Sequence, residues 1–325
     1  MADFDAWQPT ASMDSLRTRA QVMAQVRGFF ALRNVLEVET PMLSQASVTD
    51  VNLRAFETRF SHPQSSQEQV LYLQTSPEFA MKRLLCAGSG SIYQLSKAFR
   101  NEEAGRFHNP EFTMLEWYRV GFDHWQLIDE VDALLQEVLD TPPLEIVTYQ
   151  QAFIRYCDFD PLDISLAHLQ QQTSRLGFND IAQSETNKDV LLQLLCCELI
   201  EPQLSQERPV ALVNFPASQA ALAKLEPEDP RIARRFEVYY KGIELANGYH
   251  ELGDPQEQLT RFENDNLLRQ SKGLPTITID NLFIQAMHQG LPDCAGVALG
   301  FDRLMMLKRQ SSRIEQTMSF FIDNA

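Results

Sequence analysis

The sequence predicts an α+β fold, an antiparallel β-sheet flanked by helices, and three observations carry that expectation. A strand-like run through Ile92, Leu95, Ala98 and Phe99 is followed, after a polar loop, by Phe112, Met114, Glu116 and Tyr118, which alternate onto one strand face. A second pair of strand-like runs, 236–240 and 243–251, is separated by a Lys241-Gly242 turn. The helical patterns come in blocks and do not alternate singly with strands, which argues against parallel βαβ units.

Along the chain, Leu16, Met23, Val26 and Phe30 recur at helical spacing and give an amphipathic first helix. A strand over 35–39 follows and breaks at Pro41, and 71–74 reads as a short strand. Pro77 sits where a helix begins, with Ser76 as the cap of a helix over 78–86. Residues 124–139 are helical, with Trp125, Ile128, Val131, Leu135 and Val138 as the apolar face. From about 141 to 205 the chain reads as an insertion of helices and turns, its most apolar helix over 191–199; no chemical motif falls there, so it is structural or partner-facing. A buried strand over 210–215 follows. Asp254 and Pro255 cap and open a helix that ends near Gln270. With no internal repeat and no linker, 1–325 reads as one domain carrying the 141–205 insertion.

Composition narrows the function classes. The 325 residues, 44% of them hydrophobic, suffice for a sizeable core. No apolar run reaches bilayer length, and the acidic start has no signal-peptide core, so a cytoplasmic protein without a membrane partner is expected. Cys86, Cys157, Cys196, Cys197 and Cys294 have neither metal-ligand nor disulfide spacing and read as reduced thiols. The net charge of −16, from 28 basic and 44 acidic side chains, argues against a broad phosphate-binding surface. The densest basic group, Lys224, Arg231, Arg234 and Arg235, reads as a solvated helix balancing Glu226, Glu228 and Asp229 before it reads as a docking patch for an acidic protein.

The chemistry concentrates in two stretches joined by the polar loop, Phe99-Arg100-Asn101-Glu102-Glu103 and His108-Asn109-Pro110-Glu111-Phe112-Thr113-Met114-Leu115-Glu116-Trp117-Tyr118. An arginine at the rim of a hairpin suits a phosphate, because its planar fork grips two oxygens. Glu102, Glu116 and Tyr118 add acceptors for an amine or a base edge. The pair resembles motif 2 of the class II aminoacyl-tRNA synthetases, most closely the lysyl branch. Val38-Glu39-Thr40-Pro41-Met42-Leu43 fits motif 1, and Gly296-Val297-Ala298-Leu299-Gly300-Phe301-Asp302-Arg303 fits motif 3. A lone glycine cluster ahead of a helix would be weak; three motifs in order are not.

The resemblance implies a class II catalytic core that activates a carboxylate with ATP and Mg2+, as a homodimer built on the first helix and strand. Arg100 would clamp the α-phosphate and the substrate carboxylate, and Arg303 would lie near the γ-phosphate or adenine; these two are the implied catalytic residues. The other implied ATP positions are Asn101, Glu102, His108, Asn109 and Phe112 of the hairpin, Glu244 with Leu245, and Gly300 before Arg303. Glu237 and Glu244 match the family's metal-holding acidic pair. Residues 244–251, Glu-Leu-Ala-Asn-Gly-Tyr-His-Glu, match E-[IL]-x-N-G-[FY]-x-E. There Asn247 would touch ribose or amino acid, and Glu251 would receive a lysine ε-ammonium, to which Tyr118 could also hydrogen-bond; Glu116 and Ala298 join the substrate-binding residues. Ser76, Pro77 and Glu78 resemble the loop that meets the other amino group. His250 reads as an ordinary loop or strand histidine.

Two departures separate the chain from lysyl-tRNA synthetases. Motif 1 starts too early to leave room for their anticodon-reading OB domain, and nothing equivalent follows Arg303, so an isolated core is expected. Ala298 stands where those enzymes carry glycine, and one methyl beside a packed ligand changes a pocket by about 1 kcal/mol or more. Both departures resemble the free-standing bacterial paralogues that ligate (R)-β-lysine to a lysine side chain of elongation factor P. That family implies a lysine 2,3-aminomutase as supplier of β-lysine, and no stable tRNA binding. Two alternatives stay open: a minimal lysyl-tRNA synthetase charging tRNA, and a non-catalytic regulatory paralogue.

Overall fold

The computed structural model describes residues 7–64 and 68–325 and divides them into two compact units, 1–121 with 253–325, and 122–252. The first unit begins with helix α1 (Met13–Ala31), capped by Ser12, whose side chain accepts from Ser15 N. Strands β1 (Leu36–Glu37), β2 (Leu43–Ser44), β3 (Glu57–Phe60) and β4 (Gln69–Leu73) lead to α2 (Glu78–Cys86), then β5 (Ile92–Phe99) and β6 (Glu111–Val120). The second unit holds α3 (His124–Leu139), β7 (Glu145–Thr148), α4 (Tyr149–Cys157), α5 (Leu166–Arg175), α6 (Asn179–Ser184), α7 (Lys188–Leu195), β8 (Val210–Pro216), β9 (Ile232–Tyr240) and β10 (Ile243–His250). The chain then returns to the first unit with α8 (Pro255–Ser271), α9 (Asn281–Gly290), β11 (Cys294–Gly300) and α10 (Phe301–Arg309).

In the first unit the strand order is β1-β5-β6-β11, antiparallel except for the short parallel pair β1–β5. A separate antiparallel sheet runs β2-β4-β3. The expected first strand over 35–39 is thus only two residues long. Strand β6 is the spine of this unit, buried on both faces from Thr113 to Tyr118. On its rear, α1 stacks Phe30 on Tyr93 (4.3 Å) and against the edge of the fully buried Trp117 (5.3 Å). Val22, Val26, Phe29 and Phe30 bury that helix; Leu16 and Met23, expected on the core face, are only half-buried at its margin. On the front of β6, Tyr118 packs with Met81 and Leu85 of α2, and Phe79 stacks on Phe283 of α9 at 4.7 Å.

In the second unit the order is β10-β9-β8-β7, antiparallel except for the parallel pair β7–β8. The sheet segments are therefore mixed, not purely antiparallel. Lys241 and Gly242 both take positive φ (52° and 70°), the geometry a two-residue hairpin turn demands. The 141–205 stretch holds the expected helices and also β7, whose Val147 joins a core with Phe153, Leu191 and Leu212. Helix α3 has the expected bounds, but Trp125 is 40% exposed; Leu127, Leu134 and His124 are buried in its place. Arg231, Arg234 and Arg235 lie on or beside β9, so the expected solvated helix there is a strand. Their role as charge balance holds: Arg231 pairs with Asp229 and Asp163, Arg234 with Glu226, and Arg235 with Glu237.

Candidate functional site

In the first unit the site grows from two neighbouring strands and the start of a helix. Glu116 lies opposite Gln94 on β5 and opposite Ala298 on β11, so the three side chains share the front face of the sheet. Glu116 is buried, and both its oxygens are engaged: Tyr118 Oη donates to Oε1 and Ser76 Oγ to Oε2, each at 2.7 Å. Ser76 Oγ also accepts from Glu78 N at 3.0 Å. Pro77 is the capping residue of α2, so the expected Ser76 cap is supplied one residue further out, through that bond. Lys82, fully buried one turn on, donates to Glu78 Oε1 at 2.6 Å.

Two carboxylates and one ammonium in this small volume control proton affinity. Burial, and next the charge of Glu78, push the Glu116 carboxyl up to about 7; Tyr118, Ser76 and Lys82 oppose the rise. A cavity of about 380 Å3 opens beside the start of α2, bordered by Ser76, Pro77, Glu78, Arg83, Ser47 and Asp280, within the size range of small-ligand pockets.

The phosphate-type residues sit at the hairpin. Arg100 follows β5 with its guanidinium 5.2 Å from the Phe112 ring centre and Nε donating to Thr75 O at 3.4 Å. That bond ties Arg100 to the segment leading into Ser76. Arg303, in the first turn of α10, donates to His108 Nε2 at 2.6 Å and to Phe107 O at 3.3 Å, which joins motif 3 to the hairpin loop. Glu103 lies between them, 3.7 Å from Arg100 and 3.9 Å from His108. Gly300 meets the stem of Arg303 where a side chain would stand. Not every expected residue faces this group. Asn109 is buried, with Nδ2 donating to Glu111 O and Oδ1 accepting from Ile322 N, a structural tie to the C-terminal segment. Glu102 is exposed, at φ 72°, and pairs with Arg54, while the Asn101 side chain accepts from Glu102 N.

The second unit brings the acidic pair together. Glu237 and Glu244 lie on adjacent strands, and the charge of Glu244 adds to burial in raising the Glu237 carboxyl, against Arg235 and Tyr239. Arg235 Nη2 and Tyr239 Oη each donate to Glu237 at 2.5 Å. Glu201 is raised by burial and by the same two carboxylates, with Cys197 and Tyr239 opposing as hydrogen-bond donors. Asn247, directly across from Glu237, accepts from Arg235 Nε at 3.3 Å, and Leu245 is buried between the strands. Glu251, just past β10, is buried and bridged to Ala223. His250 ends β10, a strand histidine as expected, with Lys224 Nζ 3.2 Å from Nε2 and Arg234 Nη1 3.3 Å from Nδ1.

No three histidine, cysteine or carboxylate side chains converge as a metal cage among the described residues. Mg2+ does not need one, since it keeps several waters and takes one or two carboxylates plus substrate phosphates. The mutual repulsion of Glu237 and Glu244 is the feature that fits such an ion. No disulfide joins the five cysteines, of which Cys157, Cys196 and Cys294 are buried. Among the described residues no helix is long and apolar enough to cross a membrane.

Sequence reasoning missed Lys82, gave Arg235 only as part of the basic group and quoted Glu103 in its motif without a role. Two of them carried a local signal: Lys82 is four residues after Glu78 on one helix face, and Arg235 two before Glu237 on one strand face. A charge at such spacing reads as solvated until its burial is known.

Comparison with known proteins places the chain in a family. The family described as tRNA synthetases class II (D, K and N) matches residues 5–323. The chain is 57% identical over 314 residues, 97% of each chain, to an elongation factor P–(R)-β-lysine ligase of Vibrio vulnificus. It is 53% identical over 325 residues, the full length of both chains, to the protein of that name from Salmonella arizonae. A hairpin arginine, a motif 3 arginine bonded to the same hairpin, and a match over nearly the whole chain leave one assignment: the chain belongs to the class II tRNA synthetases of the D, K and N group, and within it to the family of these elongation factor P–(R)-β-lysine ligases.

Proposed function

We propose that the protein activates (R)-β-lysine with ATP, and lysine less well, and ligates it to a lysine side chain of elongation factor P. One observation carries the reading. A buried carboxylate with two hydroxyl donors, Glu116, stands on the strand after the Arg100 hairpin, in a chain more than half identical to two ligases so named. Such a pocket suits an aliphatic diamine, because a buried ammonium needs a paired carboxylate.

In the first step a substrate carboxylate oxygen attacks the α-phosphorus of ATP. The bond from that phosphorus to the bridging oxygen breaks, and pyrophosphate leaves. Arg100 would hold the carboxylate and α-phosphate together against their repulsion, and its stacking on Phe112 limits the geometries it samples. Arg303, steadied by His108, would bind the outer phosphates. When bound, Mg2+ supplies charge neutralisation on the phosphates; Glu237 and Glu244 would hold it. In the second step the neutral amine of the acceptor lysine attacks the acyl carbon. AMP leaves, and the new amide nitrogen gives up a proton.

Glu78, Glu116 and Tyr118 would receive an ammonium group of the substrate; for Glu251 an ammonium contact, and for Asn247 a contact to the ribose or the amino acid, rest on the family resemblance. Ala298 supports the β-isomer: its methyl lies on the same face as Glu116 and directly across from it, so it narrows the space beside the amine. Cytoplasmic location, a homodimer and supply of substrate by an aminomutase belong to this reading and rest on the family resemblance.

The test offers labelled (R)-β-lysine or α-lysine, with ATP, to purified protein together with elongation factor P and total tRNA. Label on the protein acceptor, greater with β-lysine, is expected. Label on tRNA would make the chain a minimal synthetase, and absence of ATP–pyrophosphate exchange would make it non-catalytic.

A further inference from the structure

Lys82 has a position that packing alone does not account for. It sits in the second turn of α2 between Met81 and Leu85 of the apolar cluster, and no part of it is exposed. Taking an ammonium out of water costs several kcal/mol unless a counter-charge is fixed beside it. Methionine or leucine would fill the same volume without that cost. The charge is placed where it acts on two carboxylates: Nζ is 2.6 Å from Glu78 Oε1, and Ser76 links Glu78 to Glu116 through one hydroxyl.

Groups from four elements face Glu116. Tyr118 comes from its own strand, Ser76 and Glu78 from the start of α2, Lys82 from the next turn, the neutral Gln94 from β5 and the methyl of Ala298 from β11. Among the described residues named here Lys82 is the cation, and its charge opposes the rise in the proton affinity of Glu116. Without it, the buried Glu116 would face the half-buried Glu78 carboxylate with no cation beside that carboxylate to offset its charge.

We propose that Lys82 is a positioning residue of the amino-acid pocket, which fixes the Glu78 carboxylate and sets a positive charge beside the Glu78 and Glu116 side chains that are to receive the ammonium groups of a diamino acid. This rests on the proposed function. Lys82 does not touch the substrate; it sets the charge and place of the groups that do.

The experiment measures ATP–pyrophosphate exchange against pH from 5.5 to 9 for the wild type, Lys82→Met and Lys82→Arg, with (R)-β-lysine and with α-lysine. In Lys82→Met the acid limb of kcat/KM moves to higher pH. The KM for the amino acid rises tenfold or more at pH 7, and the KM for ATP stays within about twofold. Lys82→Arg keeps the limb near its wild-type position, because the charge remains. It still raises the amino-acid KM, because the longer planar group displaces Glu78. An unmoved limb in a folded Lys82→Met, or equal losses in the ATP and amino-acid terms at every pH, overturns the proposal.

A substrate-free readout separates this from the function itself. The part of the pH dependence of thermal stability that Glu116→Gln removes reports Glu116, and Lys82→Met should carry the upper end of that part to higher pH. Wild-type protein with no exchange but with that shift would refute the activation reading and leave the electrostatic role of Lys82 standing. Should Lys82→Met fail to fold, an unchanged amino-acid KM in Lys82→Arg overturns the positioning role.

Discussion

Two buried titratable side chains give this protein opposed pH dependences. Glu116 has its carboxyl raised to about 7, first by burial and then by Glu78. Between its unfolded value near 4.5 and 7 the folded state holds a proton that the unfolded state has lost, so stability from this group falls as pH rises through that window. His124 has both ring nitrogens buried without hydrogen-bond partners and is lowered to about 4, chiefly by burial and then by His250. Its stability contribution is present above the unfolded value of 6.5 and is lost as pH falls toward 4. Relative to the wild type, Glu116→Gln should therefore make the melting temperature fall less, or rise more, with pH between 4.5 and 7, and His124→Phe should shift that slope the opposite way. Thermal scans at half-unit pH steps check both, and parallel curves in the two variants would sink the assignment. At the same scale, Ala298→Gly should narrow the preference for β-lysine over α-lysine by roughly tenfold, the worth of about one methyl in a pocket. Exchange kinetics with the two isomers read this, and an unchanged ratio would remove Ala298 from selectivity.

Elements are tied together in the first unit by a buried ion pair that also carries motif 3. Asp302, at the start of α10, accepts from Arg19 of α1 and from the backbone N–H of Thr113 on β6, both at 2.6 Å. Removing one partner of such a pair leaves an uncompensated charge, so Asp302→Ala should cost roughly 3–5 kcal/mol of stability, read from denaturant midpoints. Because Arg303 is the next residue, activity should fall even where the variant remains folded. A cap gives a smaller effect. Asp254 accepts from Gln256 and Glu257 at the start of α8, and Asp254→Ala should cost about 1 kcal/mol without altering exchange. Helix bounds of this kind were legible because caps and prolines are local. The exposure of Trp125 was not, because its spacing fits an apolar face and only the packing of neighbouring elements decides which turn is covered.

Over the whole molecule the charge of −16 sets the partner class. Three basic side chains of the densest group form ion pairs with neighbouring carboxylates, so that group offers no broad phosphate-binding surface. Binding of bulk tRNA at about 150 mM salt should be undetectable by filter retention, and saturable binding with a steep salt dependence would contradict this. Arg231→Glu should leave acceptor modification within about twofold, as expected of a charge already held by Asp229 and Asp163.

The sequence by itself determined the motif hairpin, the strand face that carries Glu116 and Tyr118, the start of α2 and the acidic pair on β9 and β10. Each of these follows from period-two alternation, a turn or a cap within a few residues. Tertiary structure alone decided which charges are buried and with whom. Lys82 and Arg235 read as solvated until helices and strands close over them, and Asp302 finds Arg19 across 283 positions of the chain. The reason is physical: alternation and capping are properties of neighbouring residues, whereas the loss of solvent that gives a buried charge its energy is contributed by elements distant in sequence.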